Sequence, residues 1–461
     1  MKSHKWIIAA ASALCIAISL PLSALAQGPG GNPPSGGPGG GPGGPGGPGG
    51  GPGGSASDVT YTAATEITSA ASLENGVYLS DSADENAILV DTDEEVTLTN
   101  PNATKAGDSD GGDSCNFYGL NAAVLAKGGA TLTISGGTIT SDASGANGVF
   151  SYGGNGGQNG AAGDGTTVNI SDTVITTSGD GSGGIMTTGG GITNASNLTV
   201  TTSGRSSAAI RTDRGGGTVN VDGGTYTSNG LGSPAIYSTA AITVQNATLV
   251  SNLSEGVCIE GMNTITLTDC DLTANNTQCN GNATFLDTIM IYQSMSGDAD
   301  SGTSAFTMTG GSLTSKSGHV FHVTNTHAVI TLNGVQIVNE DSDNVLLSVC
   351  DDGWNGAENN AELYANAQSL SGTILVGSNS KLTLTLSDGS AFTGSISGEI
   401  TNSKGTAISS EAGTVNVTLD ETSTWTLTAD TYITGFEGNA EQIISNGYTL
   451  YVNGVALTGT K

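Results

Sequence analysis

The chain has 461 residues, of which 11 are Lys or Arg and 41 are Asp or Glu, giving a formal net charge of −30 at pH 7. Such an acidic surface repels phosphate backbones and anionic headgroups, which argues against nucleic acid and membrane surfaces as direct partners. The same negative field attracts divalent cations and helps to keep an extracellular protein soluble.

The N-terminus has the pattern of a secretory signal. Lys2 and Lys5 form a basic start, the apolar run 6–20 follows, and Ala24-Leu25-Ala26 gives a small-x-small cleavage site. The apolar run is too short for comfortable membrane spanning. We therefore expect residues 1–26 to be a signal peptide, and the mature chain to be secreted or held at the cell surface without direct membrane insertion.

A glycine- and proline-rich segment follows the signal. Residues 27–56 contain Gly-Gly-Pro triplets, but extra glycines break the Gly-X-Y register that a collagen triple helix needs. Because the segment has almost no apolar side chains to bury, we expect a disordered linker.

From residue 57 onward the chain consists of short runs that alternate polar and apolar residues, which predicts strands. These runs repeat, and most steps between equivalent positions are 23 to 26 residues. A repeat of this length with Gly or Asn turns and no helix is typical of one coil of a solenoid. Aligning the last apolar residue before each turn gives a single column: Ile134, Ile170, Ala195, Val221, Val244, Leu267, Met308 and Leu332.

The predicted fold is an all-β, single-stranded parallel β-helix over residues 57–461. Stacked coils pair every strand with the coils above and below, and the aliphatic column lies inside. Residues 130–345 hold the most regular coils. Residues 370–461 are predicted to be closing coils and a C-terminal cap, because bare sheet ends would polymerise.

This coil pattern resembles the right-handed parallel β-helix proteins of the pectate-lyase-like superfamily, particularly secreted bacterial adhesin-like members of the carbohydrate-binding type. The run STWTLTADTYITG, residues 423–435, is also similar to the closing region of autotransporter passenger domains. The resemblance implies a right-handed winding, and a function only loosely.

Five cysteines lie beyond the signal, an odd number at irregular spacings and without a C-x-x-C pair. The pattern gives no support for a zinc or redox site. Cys270 with Cys279 is the one disulfide considered, and scattered small buried residues are the favoured interpretation. The five are Cys115, Cys258, Cys270, Cys279 and Cys350.

All arginines of the chain lie in one stretch, SGRSSAAIRTDRGGG, residues 203–217. Aligning it with the neighbouring coils places Met186, Arg211 and Tyr237 in one outward column. Glu260 is expected in the coil after, and Asp213 on the same face as Arg211. Arginine binds carboxylates in a bidentate way and aromatic rings stack on sugars, so we predict an outward ligand-binding patch. Its members are Arg205, Arg211, Asp213, Arg214, Tyr237 and Glu260.

Two other interpretations of this patch stay open. The resemblance to superfamily lyases implies that Arg211 or Arg214 abstracts a proton beside a uronate carboxylate, with Asp213 and Glu260 near a calcium ion. The other interpretation is an arginine–aspartate ion pair with little net effect. Hydrolase signatures expected from the resemblance are missing, since GHV at Gly318 replaces Gly-His-Gly.

The segment DSDGGDS places Asp108, Asp110 and Asp113 close together around a glycine turn. It is similar to a compact calcium loop, although no Glu occupies the twelfth position, and a solvated acidic loop is the alternative. His319 and His322 would face opposite sides of a strand, which argues against a shared metal.

The sequence therefore predicts a non-catalytic, adhesin-like β-helix that binds polysaccharide or a cell-surface glycan on its outer side, with Ca²⁺ as the one cofactor considered. A polysaccharide lyase or glycoside hydrolase, and a purely structural surface or matrix protein, are the alternatives. Repeated Thr-x-Thr motifs also suggest ice binding, but the threonines are expected to fall on several faces rather than in one flat array.

Overall fold

The structure is a computed structural model that describes residues 59–155, 162–354 and 359–461. The predicted signal peptide and linker lie outside the described residues. The chain is an all-β parallel β-helix, as the repeat predicts. Each rung as far as β30 adds one strand to a 13-stranded parallel sheet, the A sheet, and then one or two strands to a 22-stranded sheet, the B sheet; the last rungs also form a four-stranded sheet, β31-β34-β39-β42.

The first rungs contain nine strands and one short helix. In chain order they are β1 (Thr62–Ile67), β2 (Ala71–Glu74), β3 (Val77–Ser80), β4 (Glu85–Asp91), β5 (Glu95–Thr99), β6 (Asn102–Lys105), α1 (Asp113–Tyr118), β7 (Val124–Lys127), β8 (Thr131–Ser135) and β9 (Thr138–Ser141).

The central rungs are the most regular, and β14 and β16 pass round a bend without interruption. They contain β10 (Val149–Tyr152), β11 (Thr167–Ser171), β12 (Val174–Thr177), β13 (Ile185–Thr188), β14 (Gly191–Thr202), β15 (Ile210–Thr212), β16 (Gly217–Ser228), β17 (Ile236–Ser238), β18 (Ala241–Gln245), β19 (Thr248–Ser251), β20 (Val257–Glu260), β21 (Thr264–Thr268), β22 (Asp271–Ala274), β23 (Asp287–Tyr292), β24 (Thr303–Thr309), β25 (Ser312–Ser315), β26 (His319–Thr324), β27 (His327–Asn333) and β28 (Gln336–Asn339).

The last rungs end in a hairpin, because β44 runs antiparallel to β43. They contain β29 (Val345–Val349), β30 (Asn359–Asn366), β31 (Ser369–Ser371), β32 (Thr373–Val376), β33 (Ser380–Ser387), β34 (Ala391–Gly394), β35 (Ile396–Ser397), β36 (Glu399–Thr401), β37 (Ala407–Ser410), β38 (Thr414–Leu419), β39 (Thr424–Leu427), β40 (Thr431–Ile433), β41 (Gly435–Glu437), a 3-10 turn (Ala440–Gln442), β42 (Ile443–Ile444), β43 (Leu450–Val452) and β44 (Val455–Ala456).

The predicted inward column is confirmed residue by residue. Ile134 pairs with Ile170, Ile170 with Ala195, and the register continues without a shift to Leu332. All eight side chains belong to one buried apolar cluster. Each fully buried aliphatic side chain contributes about 1.5–3 kcal/mol, so the stability of the solenoid accumulates rung by rung.

The bend within the B sheet needs one residue with a positive φ in each rung. Asp172, Asn197 and Asn246 take φ of 52°, 53° and 55° there, and glycines occupy the same position in other rungs. Asn and Asp tolerate this left-handed conformation better than other non-glycine residues. Their side chains also bond from rung to rung, since Asn197 Nδ2 donates to Asp172 Oδ1 at 2.7 Å.

The outer face of the A sheet is covered by a second layer of chain. Helix α1 and the loops between strands carry aromatic side chains that pack against this face, including Phe117, Phe285 and Trp354. From β4 to β29 the A sheet is therefore buried on both faces, and solvent reaches these rungs mainly over the B sheet. Within the described ranges, no helix has the length and apolar character needed to cross a bilayer.

Candidate functional site

The register of the A sheet confirms most of the predicted arginine column. Met186 pairs with Arg211, and Arg211 pairs with Tyr237. The next residue of the column is Cys258 and not Glu260, because Ile236 pairs with Val257. Glu260 lies two residues further along β20, on the same face, and still contacts Tyr237.

The prediction that this column forms an exposed patch is wrong. Arg211 is 1% exposed, Tyr237 is 2% exposed and Glu260 is 1% exposed. The side chains do point out of the sheet, but α1 and the loop before β24 lie over them. Sequence periodicity separates the two faces of a strand, and it does not show whether a face is covered by another segment.

Arg211 is held by a buried ion pair and two further bonds. Its Nη2 lies 2.8 Å from Asp213 Oδ2, and its Nη1 donates to Asn116 Oδ1 and to the carbonyl oxygen of Ser206, both at 3.2 Å. Burial raises the pKa of Asp213 to about 7, against the opposing effect of the Arg211 guanidinium. Because Asn116 belongs to α1, the arginine fastens the covering layer to the sheet.

Arg214 fastens two covering segments at once. Its Nη2 and Nε donate to Asp298 Oδ1 at 2.7 Å and 3.1 Å, and its guanidinium lies 4.2 Å from the centre of the Phe117 ring. Cation–π contacts of this kind are worth about 0.5–2 kcal/mol, depending on desolvation. Both Arg211 and Arg214 therefore support the structure, which favours the ion-pair interpretation for these residues.

Glu260 is a buried carboxylate surrounded by hydroxyl groups. Tyr237 and Tyr292 donate to its Oε2 at 2.5 Å and 2.9 Å, and Ser294 and Ser296 donate to Oε1. Burial raises its pKa, although the hydroxyl donors oppose this by stabilising the charged form. The cluster satisfies the carboxylate internally, and Glu260 is only 1% exposed.

Arg205 is the exposed arginine of the predicted patch. Its Nη2 donates to Asn280 Oδ1 at 3.3 Å, and its side chain lines a cavity of about 240 Å³ together with Asp110 and Asp180. The structure thus brings together residues from two separate predictions, the arginine patch and the acidic loop.

The three aspartates of the acidic loop are solvent-exposed. Asp108 Oδ1 accepts from the backbone N–H of Ser144 at 2.8 Å, and Asp113 is the first residue of α1. Among the described residues, no three His, Cys, Asp or Glu side chains are grouped so that they could hold a metal ion. Calcium at Asp108, Asp110 and Asp113 stays a prediction.

The expectation that His319 and His322 face opposite sides of a strand is wrong. The Nδ1 atoms of both rings lie 2.7 Å from Ser348 Oγ. Strand β26 begins at His319, after Gly318 with φ of 75°, so the regular alternation is not yet established there. His322 Nε2 lies 3.3 Å from Asp352 Oδ2 in a fully buried site, and Phe285 packs against both rings.

The five cysteines are free thiols, and Cys270 does not pair with Cys279. Cys279 is half-buried and the other four are buried, in agreement with the interpretation as scattered interior residues.

The solvent-facing feature best suited to a ligand is a groove that sequence analysis missed. It lies on the outside of the B sheet across β8, β11, β14, β16 and β18 and has a volume of about 480 Å³. Two rows of polar side chains border it. One row is Thr133, Asn169, Asn194, Asn220 and Thr243, and the other is Ser171, Ser196, Asp222 and Gln245.

An amide ladder forms the first border of the groove. Asn194 Nδ2 donates to Asn169 Oδ1 and Asn220 Nδ2 donates to Asn194 Oδ1, both at 2.9 Å. Each amide has two N–H groups, so one remains for a ligand at Asn194 and at Asn220. The signal in the sequence is an asparagine at the same register in three consecutive rungs, although the groove itself depends on backbone shape.

The comparisons with known proteins give no match: no protein-family model, curated protein or solved structure is detectably similar to the chain.

Proposed function

We propose that this protein is a secreted, adhesin-like member of the pectate-lyase-like β-helix proteins and binds polysaccharide in the B-sheet groove. The observation that carries the proposal is the groove of about 480 Å³ with its ladder of Asn169, Asn194 and Asn220. Amide and hydroxyl groups in parallel rows suit a ligand that presents hydroxyl groups at regular intervals.

The dimensions of the groove favour a chain over a single sugar. Five stacked strands, spaced about 4.8 Å apart, span about 19 Å along the solenoid axis. A polysaccharide lying along the axis would meet equivalent side chains in each rung.

The charge of the groove favours a neutral glycan. Its lining contains Asp222 and no Lys or Arg, and the whole chain carries a net charge of −30. Both would repel a polyuronate. Of the arginines that suggested an acidic substrate, Arg211 is buried and Arg214 is half-buried, while the exposed Arg205 lines a different cavity. We therefore favour binding over uronate lyase chemistry at Arg211.

Removing the amide ladder should weaken glycan binding by about five- to hundredfold. In the double variant Asn194→Ala/Asn220→Ala, each lost hydrogen bond costs about 0.5–1.5 kcal/mol, so the two together cost about 1–3 kcal/mol. Pull-down on insoluble neutral polysaccharides, followed by calorimetry on soluble oligosaccharides, measures the effect.

Asn252→Ala serves as the matched control, because Asn252 belongs to a similar exposed pair with Asn229 away from the groove. The control should bind as the unaltered protein does. Equal binding by the double variant would place the glycan elsewhere. Failure of the unaltered protein to bind any neutral glycan would support a structural surface or matrix role instead.

A further inference from the structure

One outer face of the solenoid is built almost entirely of threonine. It lies beyond the bend of the B sheet, on β9, β12, the second halves of β14 and β16, and β19. Ten side chains point outward over these five rungs, and we call them the threonine–valine face. They are Thr138, Thr140, Val174, Thr176, Thr199, Thr201, Thr225, Thr227, Thr248 and Val250.

These side chains form two straight columns. Thr138 pairs with Val174, Val174 with Thr199, and the same register holds through Thr225 and Thr248. The second column runs in parallel, two residues further along each strand. The columns repeat about every 4.8 Å along the axis and lie about 6.6 Å apart along the strand. The expectation that the threonines form no regular array is therefore wrong for this face.

The first column of this face is exposed to solvent, and the second is half-buried except at Thr176. Thr138 and Thr140 bond to the neighbouring rung at Asn102 and Thr104. Within the part of the chain that the structure describes, the other six hydroxyls make no hydrogen bond to protein. Val174, at the same column position, is 42% exposed. The face thus presents unpaired hydroxyls and methyl groups in a fixed two-dimensional pattern.

Valine replaces threonine in two of the ten positions, and the two side chains have nearly the same shape. No charged residue lies on the face, although the chain carries a net charge of −30. Charges first appear on the next rung, where Asp271 pairs with Thr248. The face is therefore uncharged and uniform in shape.

The size of the face argues against a second protein molecule as its occupant. Five rungs about 4.8 Å apart give a strip about 19 Å long, and at a width of about 10 Å it covers about 200 Å². A standard stable interface buries about 800 Å² on each partner. A crystalline ligand is different, because each repeating unit contributes a weak contact and all of them engage at once.

We infer that the threonine–valine face binds ice. Hexagonal ice presents water oxygens in planes whose repeats are similar in size to those of the two columns. Threonine hydroxyls can hydrogen-bond to such waters, and bridging waters are nearly as favourable as direct bonds. The methyl groups order the water between the columns, since apolar surface restricts the first hydration shell. This function is independent of the glycan groove.

Ice recrystallisation inhibition by the whole mature chain tests the inference. The unaltered protein should stop crystal growth, and Thr199→Tyr, at the centre of the face, should need at least tenfold more protein for the same effect. Thr199→Val keeps the shape found at Val174 and should retain most of the activity. Thr266→Tyr, on an outward position of β21 outside the face, is the matched control and should act as the unaltered protein does.

Circular dichroism checks that each variant is folded. If tyrosine disturbs the strand, Thr199→Val still tests the face, because valine keeps the shape found at Val174. The inference is overturned if the unaltered protein does not inhibit recrystallisation. It is equally overturned if Thr199→Tyr and Thr266→Tyr have the same effect, since activity would then not depend on this face.

Discussion

Replacing Arg211 with alanine should lower the free energy of unfolding by about 3–5 kcal/mol, because the change leaves Asp213 buried without its partner. The two side chains are only 1% and 2% exposed, and they form a 2.8 Å ion pair. The variant also loses the bonds from Arg211 to Asn116 and Ser206, which fasten α1 to the A sheet. Equilibrium unfolding in urea measures the change.

Two control variants test whether the loss of stability comes from the buried ion pair or from any substitution in this region. Arg205→Ala removes an exposed arginine and should change stability by less than about 0.5 kcal/mol. The double variant Arg211→Met/Asp213→Leu removes both charges and should recover much of the loss, because buried pairs are often replaceable by apolar residues. If Arg211→Ala proved as stable as Arg205→Ala, the buried ion pair would have no structural role.

Stability should fall as the pH rises from about 4 to about 7. Burial raises the pKa of Asp213 to about 7, and it also raises the pKa of Glu255, Glu260 and Asp287. A carboxyl with a raised folded-state pKa binds its proton more tightly in the folded chain. Its stabilising contribution is therefore complete below the unfolded pKa near 4 and is lost as the pH rises through the folded pKa.

Asp287→Asn tests the origin of this pH dependence. In the described structure neither carboxylate oxygen of Asp287 has a hydrogen-bond partner, so the substitution removes a charge without breaking a bond. The variant should gain stability at pH 7 and show a flatter profile of melting temperature against pH. Asp110→Asn changes the net charge equally at an exposed site and should leave the slope intact. Equal slopes in the two variants would assign the profile to overall charge repulsion.

The inward column was predictable because the hydrophobic period is nearly constant. Steps of 23 to 26 residues align Ile170, Val221 and Val244 without any knowledge of the turns. The alignment error at Glu260 left the assignment of inward and outward strand faces correct. The alignment placed Ile236 beside Ile259, whereas the structure pairs it with Val257. A shift of two residues preserves the face, so Glu260 still meets Tyr237.

Burial of the arginine patch could not be predicted from the period. The covering layer comes from irregular insertions, including the segment with α1 and the loops on either side of β23. The sequence does contain a sign of the covering layer, because the aromatic residues Phe117, Phe285 and Trp354 lie outside the regular repeats. Apolar rings in an insertion need a surface to pack against, and the outer face of the A sheet provides it.

The groove and the threonine–valine face depend on three-dimensional shape as well as on residue type. The asparagines of the ladder and the threonines of the face are visible in the sequence as recurring letters. Their arrangement into straight rows follows from an unbroken register between rungs. A shift by one residue in a single rung would turn its side chains to the other face and interrupt both features.

Paired cysteines on adjacent rungs measure this register most directly. In a Cys279→Ser background, Thr201→Cys with Thr227→Cys should form a disulfide under mild oxidation, because these residues are direct neighbours on adjacent rungs. Adjacent strands lie about 4.8 Å apart, within the Cα separation that a disulfide requires. Thr201→Cys with Val250→Cys spans two rungs, about 9.6 Å, and should stay reduced. Cross-linking of the first pair alone is the predicted result, and cross-linking of the second pair with the first left reduced would contradict the account.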